Sequence, residues 1–454
     1  MAAGAGALLA GPLLAACDDE GEQSSASSSA SASSGGGGTA TGGGGAGGGG
    51  GGQVVFLSTQ LAPAAEAATV RNQILPGYSG SASFVPTDET GFLTRVRAQA
   101  QTGSGSISLL GALHGSMSTL RAEDALMDLS DRFSEIEQRG YIENYLQLAR
   151  FDGQGLFYIP WLQATYLMAA RRDAVEHLPS GADVNALTYE QLTAWAQRLV
   201  EVNGERVVGF PAGGNGLFHR FLQGYLLPSF TGALNTEFAS DEAVAAWDWL
   251  ARTWDSVHAE SVLYGFMQEP LRLGEVQVAW DHTARLKEAL QATPEEYVVF
   301  PSPTGPEGLG FMPVVAGLGI PKSASNPDGA WELIKHLTSQ QALATTLQET
   351  GFLPPLSQEL DVNLDPGLAK LTGGVARQTS SNNAVLSLLP TGLGSFEGLY
   401  TKVFYDIFRR TVLEKGDIRA ALDVEAGQLQ AVLQQAGASC WQPDPTGQGV
   451  CQVS

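Results

Sequence analysis

Short apolar runs alternate with helix-patterned stretches along most of this chain, and that alternation narrows the folds open to it. Val54-Val55-Phe56-Leu57, Ile107 to Leu110, Val298-Val299-Phe300 and Val314 to Ile320 read as strands. Between them lie amphipathic helices with clear starts. Thr188-Tyr189-Glu190-Gln191 is a capping box, followed by Leu192, Trp195, Ala196 and Leu199 at helical spacing. Ser240 to Trp254 carries Val244, Trp247, Leu250 and Trp254 on one side. Asn326 and Pro327 supply an N-cap and a first-turn proline for a helix through Trp331, Ile334 and Leu337. Phe396, Leu399, Tyr400, Val403, Phe404, Ile407 and Phe408 share one helical face near the C-terminus, expected to be core. Interspersed strands and helices predict an α/β protein with largely parallel sheets.

Upstream of Gln53 the chain cannot bury a core. Residues 18–52 are Ser/Gly-rich and predict a flexible linker, with an end-to-end distance of about 30–35 Å. No Gly-Lys-Ser/Thr follows the glycines, so they are not a phosphate loop. Ahead of the linker, an apolar Ala2 to Ala16 ends in Leu14-Ala15-Ala16-Cys17 and meets Asp18, Asp19, Glu20 and Glu22. Residues 1–17 resemble a bacterial lipoprotein signal peptide, in which Cys17 takes a lipid and becomes the mature N-terminus. The stretch is shorter than the about 20 apolar residues that span a bilayer. A basic leader is missing, the first Arg being Arg71. The expectation is an extracytoplasmic body tethered to the outer face of the cytoplasmic membrane.

With 454 residues, the chain has room beyond this tail for two domains with their own cores. A net charge of −22 repels phosphate backbones and anionic headgroups, which argues against a nucleic-acid partner. Of three Cys, Cys440 and Cys451 remain beside Cys17, flanking a turn-rich loop. A disulfide is expected there; it fits an oxidising compartment and would pin the C-terminus by about 2–3 kcal/mol.

Local catalytic motifs are missing. There is no Gly-x-Ser-x-Gly elbow, no Ser-x-x-Lys, no Walker A and no Gly-x-Gly-x-x-Gly after a strand. The six His never pair at the spacing of a zinc-protease helix, and no metal or cofactor is expected. Glycosidase carboxylates come from distant positions, so a lipid-anchored hydrolase stays open as an alternative.

Several segments together resemble the extracellular solute-binding proteins of ABC transporters, in the branch that captures sugars. Asp152 to Trp161 is similar to that family's first crossing strand, and an apolar strand (Ala164 to Ala170) and Arg171-Arg172-Asp173 follow in family order. Leu187 to Leu192 resembles its next helix start, with Tyr189 in place of Trp. Leu271 to Trp280, Pro301 to Gly305, Gly317 to Leu337 and Thr350 to Pro354 match later motifs. One departure is that an Asp usual in an early strand is missing from Ser106-Ile107-Ser108-Leu109-Leu110. The resemblance implies a two-lobe periplasmic-binding-protein-like fold of type II, its lobes joined by crossing strands around a ligand cleft. Residues 53–160 and 314–350 would form the N-lobe, and 161–313 and 351–454 the C-lobe with its tail. Crossings are expected at Phe157–Trp161, Leu309–Val314 and Gly351–Pro354. A monomer working with ABC permease subunits is implied, with a carbohydrate as solute; a polyamine or peptide is the alternative.

A sugar needs aromatic plates and side chains that both donate and accept hydrogen bonds. Trp280, Asp281 and His282, just after a predicted strand, form the first candidate cluster. Tyr158, Trp161 and Gln163 lie at the first crossing, and Phe311 beside the second. Gly214 and Asn215 offer close backbone approach. His114 stands where it could replace the missing Asp, and Ser58, Thr59 and Gln60 follow the first strand. Tyr264 and Phe266 read as core.

Overall fold

The computed structural model describes residues 52–454, apart from 104, 152, 154, 359, 361 and 448. Cys17, the signal peptide and the linker to residue 51 lie outside the described residues. The first strands are β1 (Val54–Ser58), β2 (Ala82–Pro86), β3 (Ile107–Leu113) and β4 (Ile159–Ala164). They continue as β5 (Tyr166–Arg171), β6 (Val208–Gly209), β7 (Val278–His282) and β8 (Tyr297–Phe300). β9 (Leu309–Phe311), β10 (Val314–Gly319) and β11 (Ala384–Leu386) complete the set.

Two sheets organise two lobes. The N-lobe sheet runs β2-β1-β3-β10-β4 and the C-lobe sheet β6-β7-β5-β8, with β9 and β11 as a small parallel pair. The expectation of largely parallel sheets is corrected. β1 is parallel to β2 and β3, and β6 to β7, but β10 is antiparallel to β3 and β4, and β5 to β7 and β8. Parallel neighbours arise from helical crossovers within one sheet. A strand that arrives from the other lobe has no such crossover to set its direction.

Only Thr165 separates β4 from β5, so the chain leaves one sheet and enters the other within a single residue. This passage lies beyond the expected Phe157–Trp161, because β4 stays paired with β10 to Ala164. The return is at Met312-Pro313, between β9 and β10. A third segment joins the edge of β4, where Gln163 and Leu353 exchange backbone hydrogen bonds of 2.8 and 2.9 Å.

Each lobe closes over its own core. In the N-lobe, Phe56 packs against Phe84 and Trp161 with ring centroids 5.2 and 5.6 Å apart. In the C-lobe, β5 shows the two-residue period of a sheet covered on both faces. Tyr166, Met168 and Ala170 enter an aromatic core with Trp195, Trp247 and Trp249, whereas Leu167 and Ala169 enter a second core with Leu271, Leu286 and Val299.

Local signals act as the residues dictate. The Thr188–Gln191 capping box is reciprocal, Ser240 accepts from the Ala243 N–H, and Asn326 accepts from the Gly329 N–H ahead of Pro327. Tyr400, Val403, Phe404, Ile407 and Phe408 are buried, but Leu399 is 50% exposed. It sits one position before Tyr400, about 100° round the helix from the buried stripe. Cys440 and Cys451 form a disulfide with Cα atoms 4.5 Å apart. Among the described residues no helix is long and apolar enough to cross a membrane.

Candidate ligand-binding cleft

A cavity of about 660 Å³ lies between the lobes. Met312 to Val315, the return passage, crosses it. Glu66, Glu89, His114 and Ser116 line the N-lobe wall, and Tyr166, Arg220, Phe266, His282, Arg285 and Lys287 the C-lobe wall.

Tyr166 reaches the cleft because it is the first residue after the one-residue passage. Its ring stacks on Trp280 at 4.7 Å and 6° from parallel. Trp280 is fully buried and donates from Nε1 to Ser302 Oγ at 3.1 Å, which fixes the plate behind Tyr166. The ring of Tyr225 closes on both at 5.9 and 5.2 Å. Burial pushes the Tyr166 hydroxyl far above its ordinary range, so it is neutral and can both donate and accept.

His282 ends β7 and caps the helix Thr283–Leu290, its Nδ1 accepting the Ala284 N–H at 3.3 Å. That assigns the proton to Nε2, which is left as a donor. Burial pushes its pKa down to about 4, so it is neutral at pH 7. His114 opens the helix His114–Ala122 at the end of β3. Its Nδ1 lies 2.9 Å from the Tyr158 hydroxyl, its ring stacks on Phe151 at 5.2 Å, and burial lowers it to about 4 as well.

Charges on the walls are held by partners. Arg220 pairs with Glu397; burial is the largest influence and opposes its charge, but Glu397, Tyr166 and Tyr400 together keep its pKa above the ordinary value. The Arg285 guanidinium lies 4.3 Å over the Phe266 ring, a cation–π contact. Lys287 Nζ donates to the Gln348 and Glu349 carbonyls at 2.9 and 3.2 Å, at the C-terminus of the helix Gln340–Thr350. Ser116 donates to Glu89 Oε1 at 3.0 Å. Burial raises Glu66, against the pull of Arg285 and Lys287.

A match to the family model of bacterial extracellular solute-binding proteins spans residues 81–344. The chain belongs to that family. The sugar-binding protein MalE from Xanthomonas citri has the same fold, with a TM-score of 0.67 at 17% identity, over 84% of this chain and 98% of that one. Maltose-bound MalE3 from T. maritima gives 0.64 at 18% identity, over 84% of this chain and 100% of that one. UgpB from Mycobacterium tuberculosis, in complex with glycerophosphocholine, gives 0.64 at 17%, over 85% and 99%. No curated protein sequence matches the chain.

In this member, the residues singled out from sequence fall in different places. Of the expected ligand-binding residues, His114 and His282 line the cavity. Trp280 stands one layer behind it. Asp281 is fully buried, its Oδ2 accepting the Met267 N–H at 2.6 Å and its Oδ1 the His282 N–H at 2.7 Å. Trp161 is in the N-lobe core, and Tyr158 is buried there too, its hydroxyl bonded to His114. Gln163 is occupied in joining the third segment, donating to the Pro354 carbonyl at 2.7 Å and accepting from the Tyr145 hydroxyl at 2.5 Å. Phe311 is in the C-lobe core. Gly214 and Asn215 are exposed in the loop between β6 and the helix Phe218–Phe221, off the cavity. Ser58 and Gln60 bond each other, Thr59 accepts from Gln60, and none of the three lines the cavity.

Tyr166, Arg220 and Arg285 line the cavity without having been singled out, and Phe266 does so against its reading as core. Tyr166 hides in an apolar run, where a polar-tipped ring looks like core. Its signal is position, immediately after the passage.

Proposed function

We propose that the chain captures a carbohydrate in this cleft and delivers it intact to an ABC permease. The observation that carries the reading is the Tyr166 plate, held flat by Trp280 and flanked by the neutral imidazole of His282. An aromatic face suits the C–H side of a sugar ring, and neutral donors and acceptors suit its hydroxyls. A volume of about 660 Å³ falls in the ordinary range of about 300–1,000 Å³ for small-molecule sites. Maltose in MalE3 is in line with this choice of solute.

The mechanism is a shift of population. Groups from both walls contact the solute only when the lobes are closed, so the solute favours closure by its differential affinity for that state. The chain makes and breaks no bond, and a separate subunit hydrolyses ATP. Cys17 carries the lipid that keeps the monomeric body at the outer face of the cytoplasmic membrane.

One observation favours a second reading. Glu66, Glu89 and Glu349 share the cleft and suit a cationic solute such as a polyamine. A thermal-shift screen against mono- and oligosaccharides, polyamines and amino acids separates the two. A solute at 100 times its dissociation constant adds about 2.7 kcal/mol. The expected result is stabilisation by a sugar that is recovered uncleaved. Stabilisation by polyamines alone would move the assignment, and a cleaved sugar would replace it with a hydrolase.

A further inference from the structure

The C-terminal tail is fastened to the C-lobe at several points. Cys440 and Cys451 both lie in the C-lobe core. Gln430, on the helix Ile418–Ala436, donates to the Cys451 carbonyl at 3.1 Å and accepts from the Val453 N–H at 2.9 Å. The buried carboxylate of Asp444 accepts the backbone N–H groups of Leu234, Asn235 and Thr236 at 2.8–3.1 Å. It also accepts from the Asn235 side chain at 2.7 Å and the Thr236 hydroxyl at 2.8 Å. A buried carboxylate so fully bonded fixes the loop that carries it.

Trp441, next to Cys440, goes the other way. It is 8% exposed and packs in the N-lobe core. Its ring centroid is 5.7 Å from that of His114, whose other neighbours are Phe151 and Tyr158. The indole N–H has no partner among the described residues, so the contact is one of packing. Ser439 and Thr391 exchange two backbone bonds of 2.9 Å, and the Leu388 N–H donates to the Gln442 carbonyl at 2.7 Å. Leu388 itself lines the cleft and packs in the N-lobe core. A segment rooted in one lobe thus ends against a cleft residue of the other.

We propose that Trp441 is a positioning residue for His114, and that the disulfide-closed tail carrying it is an additional tie between the lobes. The importance of His114 to the solute rests on the function proposed above; the tie does not. Opening of the lobes must part Trp441 from His114 or drag the tail from its bonds. Closure brings the indole back and orients the imidazole for the solute.

The test needs no solute. The ring signals of His114 are followed by NMR against pH in the full-length protein and in Trp441→Ala, Trp441→Phe and Cys440→Ser/Cys451→Ser. The titratable groups facing His114 are the Tyr158 hydroxyl at its Nδ1 and, along the same wall, Glu89. Wild type should titrate near 4, held down by burial. Trp441→Ala should admit water and raise that value by about one unit or more toward the free imidazole, while Trp441→Phe stays near wild type. Loss of the disulfide should move it the same way by a smaller step. An unchanged titration in folded Trp441→Ala overturns the proposal; if that variant does not fold, an unchanged titration in the double Ser variant does so. Failure here leaves the solute assignment standing, and a protein that binds no sugar leaves this result standing.

Discussion

Trp280 and Tyr166 lie on adjacent strands with their rings 4.7 Å apart and nearly parallel; both are buried, Tyr166 at the cleft wall and Trp280 behind it. On the function proposed above, the Tyr166 ring is already ordered before a solute arrives. Side-chain ordering costs on the order of 0.5–1.5 kcal/mol in binding, and the stack removes much of that cost.

Tyr166→Ala should weaken sugar binding by about tenfold or more, since stacked aromatic contacts contribute about 0.5–1.5 kcal/mol beyond area burial. Tyr166→Phe should keep most of the affinity. Titration calorimetry of the three proteins with one sugar checks this. Equal affinities would show that the plate does not touch the solute.

Trp280→Ala should cost more in stability than in contact chemistry. Deleting a fully buried Trp typically removes about 3–5 kcal/mol. Trp280→Phe should recover much of that and return Tyr166 to its seat. Urea denaturation gives the stability, and affinity measured on the same samples shows whether support of Tyr166 is lost with it.

Asp281 has a pH signature of definite sign. Burial raises it to about 7, so between about 4 and 7 the folded chain holds a proton that the unfolded chain has released. Its contribution therefore declines as pH rises through that window and reaches its minimum above 7. Asp281→Asn removes the buried charge and should gain on wild type from pH 5 to pH 8, by a ceiling on the order of 3 kcal/mol, because only the part of the shift between pH 5 and about 7 falls in that window. Urea midpoints at the two pH values read the difference. A constant gap would mean that Asp281 stays charged throughout.

His282 has the opposite sign. Its pKa falls from about 6.5 unfolded to about 4 folded, so the stability present above 6.5 is lost as pH drops toward 4. His282→Asn keeps an N-cap acceptor for Ala284 and removes the imidazole. Relative to wild type it should gain stability from pH 7 to pH 4.5 and lose sugar affinity at pH 7, where the Nε2 donor is missing.

Lys287 ties the helix Thr283–Leu290 to the end of the helix Gln340–Thr350. Lys287→Met removes two donors from terminal carbonyls and should cost about 1 kcal/mol. Thermal unfolding at low and high salt measures it. The part of the loss due to charge should shrink with salt.

The fold was legible where the signal is local. Val54 to Leu57, Ile107 to Leu110, the Thr188 capping box and Asn326-Pro327 are each decided by neighbours in sequence, and motif order supplied the two-lobe arrangement. The cleft was legible only in part, because facing a cavity is a long-range property. His114 and His282 stand out as polar residues at strand ends. Trp161 and Phe311 have the same local appearance as a sugar plate, yet fill the cores beside the crossings. Tyr166 looks like core and is not wholly so, because only the one-residue passage at Thr165 turns it to the cavity. Arg220 and Glu397 are far apart in sequence, and no pattern announces their pairing.

The most direct test is to equilibrate the full-length chain with a pool of oligosaccharides, wash it, and identify what is released on denaturation. The account predicts about one uncleaved sugar per chain, and little retention by Tyr166→Ala. Recovery of hydrolysed sugar, or equal retention by Tyr166→Ala and wild type, would contradict it.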